Sequence, residues 1–135
     1  EKDTTGFSSQ YGWVHAFAHG GDLLTEVICH PRFPKSDIAE AFEIIGKIFK
    51  RVEIRFTNDE DWRLARALYE PILRGKIEPS LFTAWLQTVE FPLKEANDFH
   101  KFSNFRSCLL EIYLQLDCHN LLQDDLKKII QSFYY

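Results

Sequence analysis

The sequence has no methionine, only three cysteines and no long apolar segment, and each of these absences restricts what the protein can be. No apolar run approaches the roughly 18 residues of a membrane-spanning helix, and no secretory signal peptide is present, so we expect no membrane contact. Cys29, Cys108 and Cys118 are an odd number without a C-x-x-C pair. That pattern is typical neither of a disulfide framework nor of a zinc ribbon. We therefore expect reduced thiols in a soluble, cytoplasmic protein.

Sequence features of nucleotide chemistry and nucleic-acid binding are also missing. The formal net charge is −4, and no stretch of the chain combines clustered Lys and Arg with aromatic residues. A weakly acidic surface repels a phosphate backbone, which excludes nucleic acid as an expected partner. There is neither a Gly-rich phosphate loop nor a G-x-S-x-G motif. We accordingly predict no cofactor.

The composition that remains is that of a folded domain. The chain has 135 residues, of which 45% are hydrophobic and 15% aromatic, including twelve phenylalanines. Residues 1–135 are long enough to form a single domain with its own core. Because the chain begins with Glu1 and contains no Met, we expect it to be a fragment that lacks further N-terminal helices.

Apolar residues recur at helical spacing along most of the chain after a polar loop at 1–11. The predicted helices cover 12–30, 36–52, 57–75, 79–91, a segment from Asn97 or Asn104 to 116, and 120–133. Residues 52–56 alternate with period two and could form a short extended segment. The predicted fold is all-α, with about six amphipathic helices in stacked antiparallel hairpins resembling a helical repeat.

The sequence also predicts which residues of these helices are buried and where the helices begin. The first helix should bury Trp13, Leu23 and Val27 together with its other apolar residues, and the third should bury Trp62. Thr57-x-x-Glu60 has the pattern of a capping box, which favours a helix start at Thr57. Pro71 should kink or end the regular part of the third helix, because proline cannot donate the helical hydrogen bond.

One polar cluster on the first helix carries residue types that can do chemistry. His15, His19, Asp22 and Glu26 fall within about 60° of one another on a helical wheel, opposite the apolar face. Two histidines at i and i+4 with a carboxylate one turn later could chelate a metal. The alternative that we favour is a partly buried hydrogen-bonded group without metal, in which Asp22 orients an imidazole. Ala16 stands where a zincin would have its catalytic Glu.

Two further features bear on this cluster. Gly20 and Gly21 cost roughly 1 kcal/mol each against Ala inside a helix, which indicates close approach of a neighbouring helix or a kink after His19. Arg63 lies among Asp59, Glu60 and Asp61, a charge pattern that is typical of a helix start. In the alternative interpretation, Arg63 reaches across to Asp22.

The segment 12–24, GWVHAFAHGGDLL, resembles the signature of the bacterial family called domain of unknown function 2785. The segment 59–65, DEDWRLA, is similar to a second stretch of that family. Members carry Arg before the glycine that is Gly6 here, whereas this sequence has Thr5. The resemblance implies an all-helical fold and a chain that is longer at its N-terminus, and it implies no activity.

The sequence leaves two functions open and does not decide whether the protein is an enzyme. The first is a non-enzymatic binding or scaffolding module for a protein or peptide, with Trp13, His15, His19, Asp22 and Arg63 as the candidate cluster. The second is a metal-dependent hydrolase-like site on His15, His19 and Asp22. If further helices precede Gly12, the first helix leaves an apolar face uncovered, which predicts a homo-dimer through that end.

Overall fold

The structure, a computed structural model, describes residues 5–135 apart from the side chain of Trp13. The described helices are α1 (Ala16–Cys29), α2 (Ile38–Arg51), α3 (Glu60–Leu73), α4 (Pro79–Leu86), α5 (Ala96–Cys118) and α6 (Asp124–Ser132). A short 3-10 helix, Lys35–Asp37, precedes α2. The strands β1 (Phe7–Ser8) and β2 (Gly12–Trp13) form one two-residue antiparallel ladder. The all-α class predicted from the sequence is therefore confirmed.

The segment before α1 differs from the prediction, because α1 begins at Ala16 and not at Gly12. Gly12 adopts a φ of +74°, which reverses the chain so that β2 pairs with β1. The backbone N–H groups of Val14 and His15 both donate to the carbonyl oxygen of Gly6, at 2.9 and 3.2 Å. These two bonds and the left-handed φ of His15, +47°, prevent the helix from extending back through residues 12–15. Predictions for residues 1–4 lie outside the described residues.

The helices stack so that α3 lies between α1 and α5. Asp22 pairs with Arg63, and Glu26, one turn later, pairs with Arg74, so α1 and α3 run in the same direction. On the other side of the core, α2 contacts α4 and α5, while α6 also contacts α4 and α5. This arrangement gives the odd-numbered helices a common outer surface.

Aromatic side chains form much of the core between these helices. Phe49 meets Phe105 edge-on with ring centroids 5.4 Å apart, and Phe42 meets Phe82 at 5.9 Å. All four rings are fully buried. Burial of each ring contributes roughly 1.5–3 kcal/mol, so this cluster supplies a large share of the free energy that holds α2, α4 and α5 together.

A buried asparagine fixes the connection between α2 and α3. The side-chain oxygen of Asn104, on α5, accepts from the backbone N–H of Phe56 at 2.9 Å and from Arg55 Nη1 at 2.6 Å. Its Nδ2 donates to the carbonyl oxygen of Ile54 at 2.8 Å. The loop therefore takes its backbone partners from a helix side chain and not from a neighbouring strand, and residues 52–56 form no strand.

The predicted burial was wrong at three apolar residues. Trp62 is 50% exposed, because it lies on the side of α3 that neither α1 nor α5 covers. Leu23 is 67% and Val27 44% exposed, because α1 packs instead through its small residues, Ala18 and Gly21 among them. The burial of Trp13 cannot be compared, since its side chain lies outside the described residues.

Several predicted helix limits were also wrong. Asp59, with a φ of +63°, and not Thr57 precedes α3, and α3 continues through Pro71 to Leu73. Pro71 lies in the last turn of α3, two residues before the helix ends. The fourth helix ends at Leu86, well before Pro92.

The limits of the last two helices depend on local capping. Of the two predicted starts for α5, the earlier is nearer the structure, because Glu95 and Asp98 form a reciprocal capping box before and within its first turn. Asn120 has a φ of +57°, which interrupts the helical conformation after α5, and α6 begins only at Asp124. Within the described part of the chain, no helix is both long and apolar enough to cross a membrane.

Candidate functional site

The two histidines of the predicted cluster lie at the beginning of α1, but they are not equally buried. His15 immediately precedes the helix and is half-buried, whereas His19, in the first turn, is exposed. Their ring centroids are 6.3 Å apart. The structure thus places both imidazoles on one side of α1, with His19 accessible from solvent.

Asp22, one turn after His19, is bound to two arginines of α3. Its Oδ2 lies 2.5 Å from Arg63 Nη1, and its Oδ1 lies 3.0 Å from Arg66 Nη1. Both carboxylate oxygens therefore accept from guanidinium groups, and the contact to Arg63 is the one proposed as the alternative in the sequence analysis. The structure thus shows two charged donors from α3 on this carboxylate, and the orientation of an imidazole by Asp22 stays a prediction.

The charged contacts continue along the same pair of helices. Arg74 lies 3.1 Å from Glu26 of α1 and 3.0 Å from Glu70 of its own helix, and Arg66 lies 3.9 Å from Glu70. The hydrogen bond from Arg74 holds the pKa of Glu26 below its usual value. The pKa of Arg74 is raised in turn, mainly by its hydrogen bond to Glu26 and next by its hydrogen bond to Glu70. We call this row the charged seam; its members are Asp22, Glu26, Arg63, Arg66, Glu70 and Arg74.

The charged seam exists because α1 and α3 approach each other very closely. A Cβ atom added at Gly21 would lie 2.8 Å from the backbone carbonyl carbon of Arg63 and 3.0 Å from the backbone nitrogen of Leu64. Real Cβ atoms essentially never approach another atom as closely as 2.8 Å, and the obstacle here is main chain, so only glycine fits without a shift of the helices. At Gly20 the same atom would meet nothing within 4 Å. The close approach predicted from the glycine pair is thus confirmed, and Gly21 is the residue that allows it.

A lysine fixes the far end of the same two helices. Lys76, which follows α3, donates from Nζ to the carbonyl oxygens of Ile28 at 2.7 Å and His30 at 2.6 Å. These carbonyls belong to the C-terminus of α1, where helical backbone groups lack partners and a positive charge is favourable. The end of α1 is therefore attached to the chain that leaves α3.

A tryptophan lies beside the charged seam. Trp62, half exposed, precedes Arg63 in the first turn of α3, and the side chains of Arg63 and Arg66 retain 45% and 35% of their exposure. Trp13, the other tryptophan of the candidate cluster, pairs its backbone with Phe7. The accessible groups near the seam are thus an indole ring, an imidazole and two guanidinium groups that Asp22 partly neutralises.

The histidines and Asp22 do not form a metal site in the described part of the chain. No group of three His, Cys, Asp or Glu side chains there is placed to hold a metal ion. Asp22, the third ligand of the hydrolase-like alternative, already has an arginine on each oxygen. That alternative therefore lacks the ligand set that it requires.

Two of the three thiols are held in their less reactive form by burial. Cys29, Cys108 and Cys118 are all free in the structure. Burial raises the pKa of the Cys29 thiol and raises that of fully buried Cys108 well above its usual value. A raised pKa keeps a cysteine in its less reactive thiol form at neutral pH.

Most of the chain matches a known protein family. The family model described as "Protein of unknown function (DUF2785)" matches residues 1–114, which include α1 to α4 and most of α5. The chain belongs to this family. The DUF2785 match extends from the N-terminal hairpin across the charged seam, so all six seam residues lie within the family region. No curated protein and no solved structure matches the chain.

Sequence reasoning missed half of the charged seam. One charged stripe runs along α3, because Arg66, Glu70 and Arg74 follow one another at intervals of four residues and Arg63 lies three residues before Arg66. Glu26 and Asp22 form a matching acidic stripe on α1. Pairing the two stripes would have indicated the seam, but the sequence does not state that α1 and α3 are neighbours.

A buried carboxyl beside this site gives a prediction about pH. Asp61 is 5% exposed and accepts from the Trp62 backbone N–H at 3.1 Å. Burial raises its pKa despite hydrogen bonding from Ser107 and the charge of Arg55. A raised folded-state pKa contributes stability below the unfolded pKa of about 3.9, and this contribution disappears as pH rises through the folded value.

We therefore expect Asp61→Asn to gain stability relative to the wild type as pH increases from about 3 to 7. Urea unfolding at several pH values measures this difference. Asp117→Asn, at an exposed position, is the control for removing a carboxylate elsewhere on the same protein. A difference between Asp61→Asn and the wild type that stays constant over this range would contradict the prediction.

Proposed function

We propose that this chain is a non-enzymatic binding module that contacts a protein or peptide through the outer surface of α1 and α3. The observation that carries the proposal is Trp62, half exposed on the uncovered side of α3 beside Arg63 and Arg66. Tryptophan and arginine are the residues most enriched at the energetic centres of protein interfaces.

Three features of the site support this proposal. The exposed imidazole of His19 adds an adaptable hydrogen-bonding group next to the arginines. The charged seam holds Arg63 and Arg66 in place, so little side-chain entropy is lost when a partner contacts them. The row in which α3 lies between α1 and α5 supports a surface of the kind that helical-repeat proteins use for binding.

The proposal is tested by selecting peptides from a random displayed library against the full chain. We expect enriched peptides to bind the Trp62→Ala variant about 30-fold more weakly, because loss of a tryptophan hot spot costs about 2 kcal/mol or more. Leu93→Ala, which alters another exposed apolar residue, should leave their affinity unchanged. Enriched peptides that bind both variants equally would place binding elsewhere, and failure to enrich any peptide would overturn the proposal.

The cellular setting forms part of the same proposal. We infer a cytoplasmic location because Cys29, Cys108 and Cys118 are free and none is positioned in a disulfide. Because Cys108 is fully buried, the chain is unfolded in denaturant during lysis, and alkylation should then label three thiols per chain. A smaller number would count against this location.

A further inference from the structure

The outer face of α2 carries an apolar strip that the rest of the chain covers only in part. Ala41, Ile44 and Ile48 are spaced by three and four residues and so lie along one side of the helix. Ile44, in the middle, is 49% exposed, and the other two are only partly buried. This spacing is that of a seam through which one helix packs against another.

Charged residues beside the strip are divided by sign along the helix. Glu40 and Glu43 lie in the first half of α2, and Lys47 and Arg51 lie in the second half. All four are exposed, and none of them takes part in the ion pairs found among residues 5–135. An acidic first half and a basic second half make α2 complementary in charge to an antiparallel copy of itself.

The positions of these charges fit a two-fold axis at Ile44. Glu40 lies four residues before Ile44, and Lys47 lies three residues after it. In an antiparallel pair centred on Ile44, Glu40 of one helix is therefore at nearly the same level as Lys47 of the other helix. The difference of one residue corresponds to about 1.5 Å along the helix. Symmetry produces this pair twice. A parallel pair would instead place Glu40 beside its own copy, which is unfavourable.

We propose that two copies of this chain associate through α2 in an antiparallel, two-fold symmetric contact centred on Ile44. The small side chain of Ala41 allows the helices to approach, and Ile48 of one copy packs beside Ala41 of the other. This contact is independent of the proposed peptide surface, which lies on α1 and α3. It differs from the dimer expected at the first helix, where Leu23 and Val27 form the competing exposed surface.

Sedimentation equilibrium of the full chain over a range of concentrations tests the contact. We expect a monomer–dimer equilibrium that weakens at least tenfold in Ile44→Glu, because the substitution places two like charges at the axis. Leu110→Glu, at a similarly exposed position on α5, should have no effect. A chain that remains monomeric at the highest soluble concentration overturns the proposal, as does a dimer that Leu23→Glu dissociates and Ile44→Glu leaves intact.

Reversing the charges of Glu40 and Lys47 distinguishes the antiparallel contact from other modes of association through α2. At low salt, Glu40→Lys and Lys47→Glu should each weaken dimerisation about tenfold, because each creates like-charged pairs across the axis. The double variant should restore the wild-type dissociation constant. If the two single variants have no effect, or if their effects simply add in the double variant, the antiparallel arrangement is wrong. Circular dichroism of each variant controls for its folding.

Discussion

Gly21→Ala is expected to lower the free energy of unfolding by about 2–3 kcal/mol, because the added methyl group overlaps the backbone of α3. The obstacle is main chain at Arg63 and Leu64, which cannot move aside as a flexible side chain can. The two helices must separate instead, and the ion pairs of Asp22 lengthen with them. Urea unfolding followed by helical circular dichroism measures the loss.

The neighbouring glycine provides the matched control. Gly20→Ala makes the same chemical change one residue earlier in the same helix, where the added atom meets nothing within 4 Å. Alanine should then stabilise the protein by up to about 1 kcal/mol, through its better helix propensity. The two variants should therefore shift stability in opposite directions. Equal effects would mean that α1 and α3 are farther apart in solution than the structure indicates.

Asn104→Ala is expected to cost about 3 kcal/mol, because it removes three hydrogen bonds at a fully buried position. The largest part of the loss comes from the Phe56 N–H and the Ile54 carbonyl, which lose their partner inside the protein. Thermal or urea unfolding measures the change. Asn97→Ala, at an exposed position on the same helix, should change stability by less than about 0.5 kcal/mol. A comparably small effect at Asn104 would show that water replaces its side chain.

Helical periodicity predicted the existence of the six helices well, because each helix buries one side and repeats its apolar residues accordingly. The limits of the helices were harder to predict. Asp59 and Asn120 adopt left-handed φ values that stop or start a helix, and such values are set by the loops that they join. His15 is the same case at the start of α1, where Gly6 supplies the competing hydrogen bonds.

The candidate site could be predicted only in part, because its partners are distant in the sequence. The glycine pair indicated a close neighbour, but it did not identify that neighbour as α3. The sequence indicates Arg63 as a partner for Asp22 but does not indicate the contacts of Arg66 and Arg74. Those contacts depend on the direction of α3 and on its position along α1. Trp62 was expected to be buried for the same reason: its exposure depends on which sides of α3 the neighbours occupy.

The order of signs along the charged seam selects one alignment of α1 on α3. Asp22 meets Arg63 and Arg66, and the next seam residue on α3 is the acidic Glu70. If α1 slid one helical turn, about 5.4 Å, toward the C-terminus of α3, Asp22 would move from the arginines toward the carboxylate of Glu70. Each exposed ion pair adds little to the free energy of folding on its own. The charged seam therefore acts chiefly by disfavouring misaligned packings of α1 on α3.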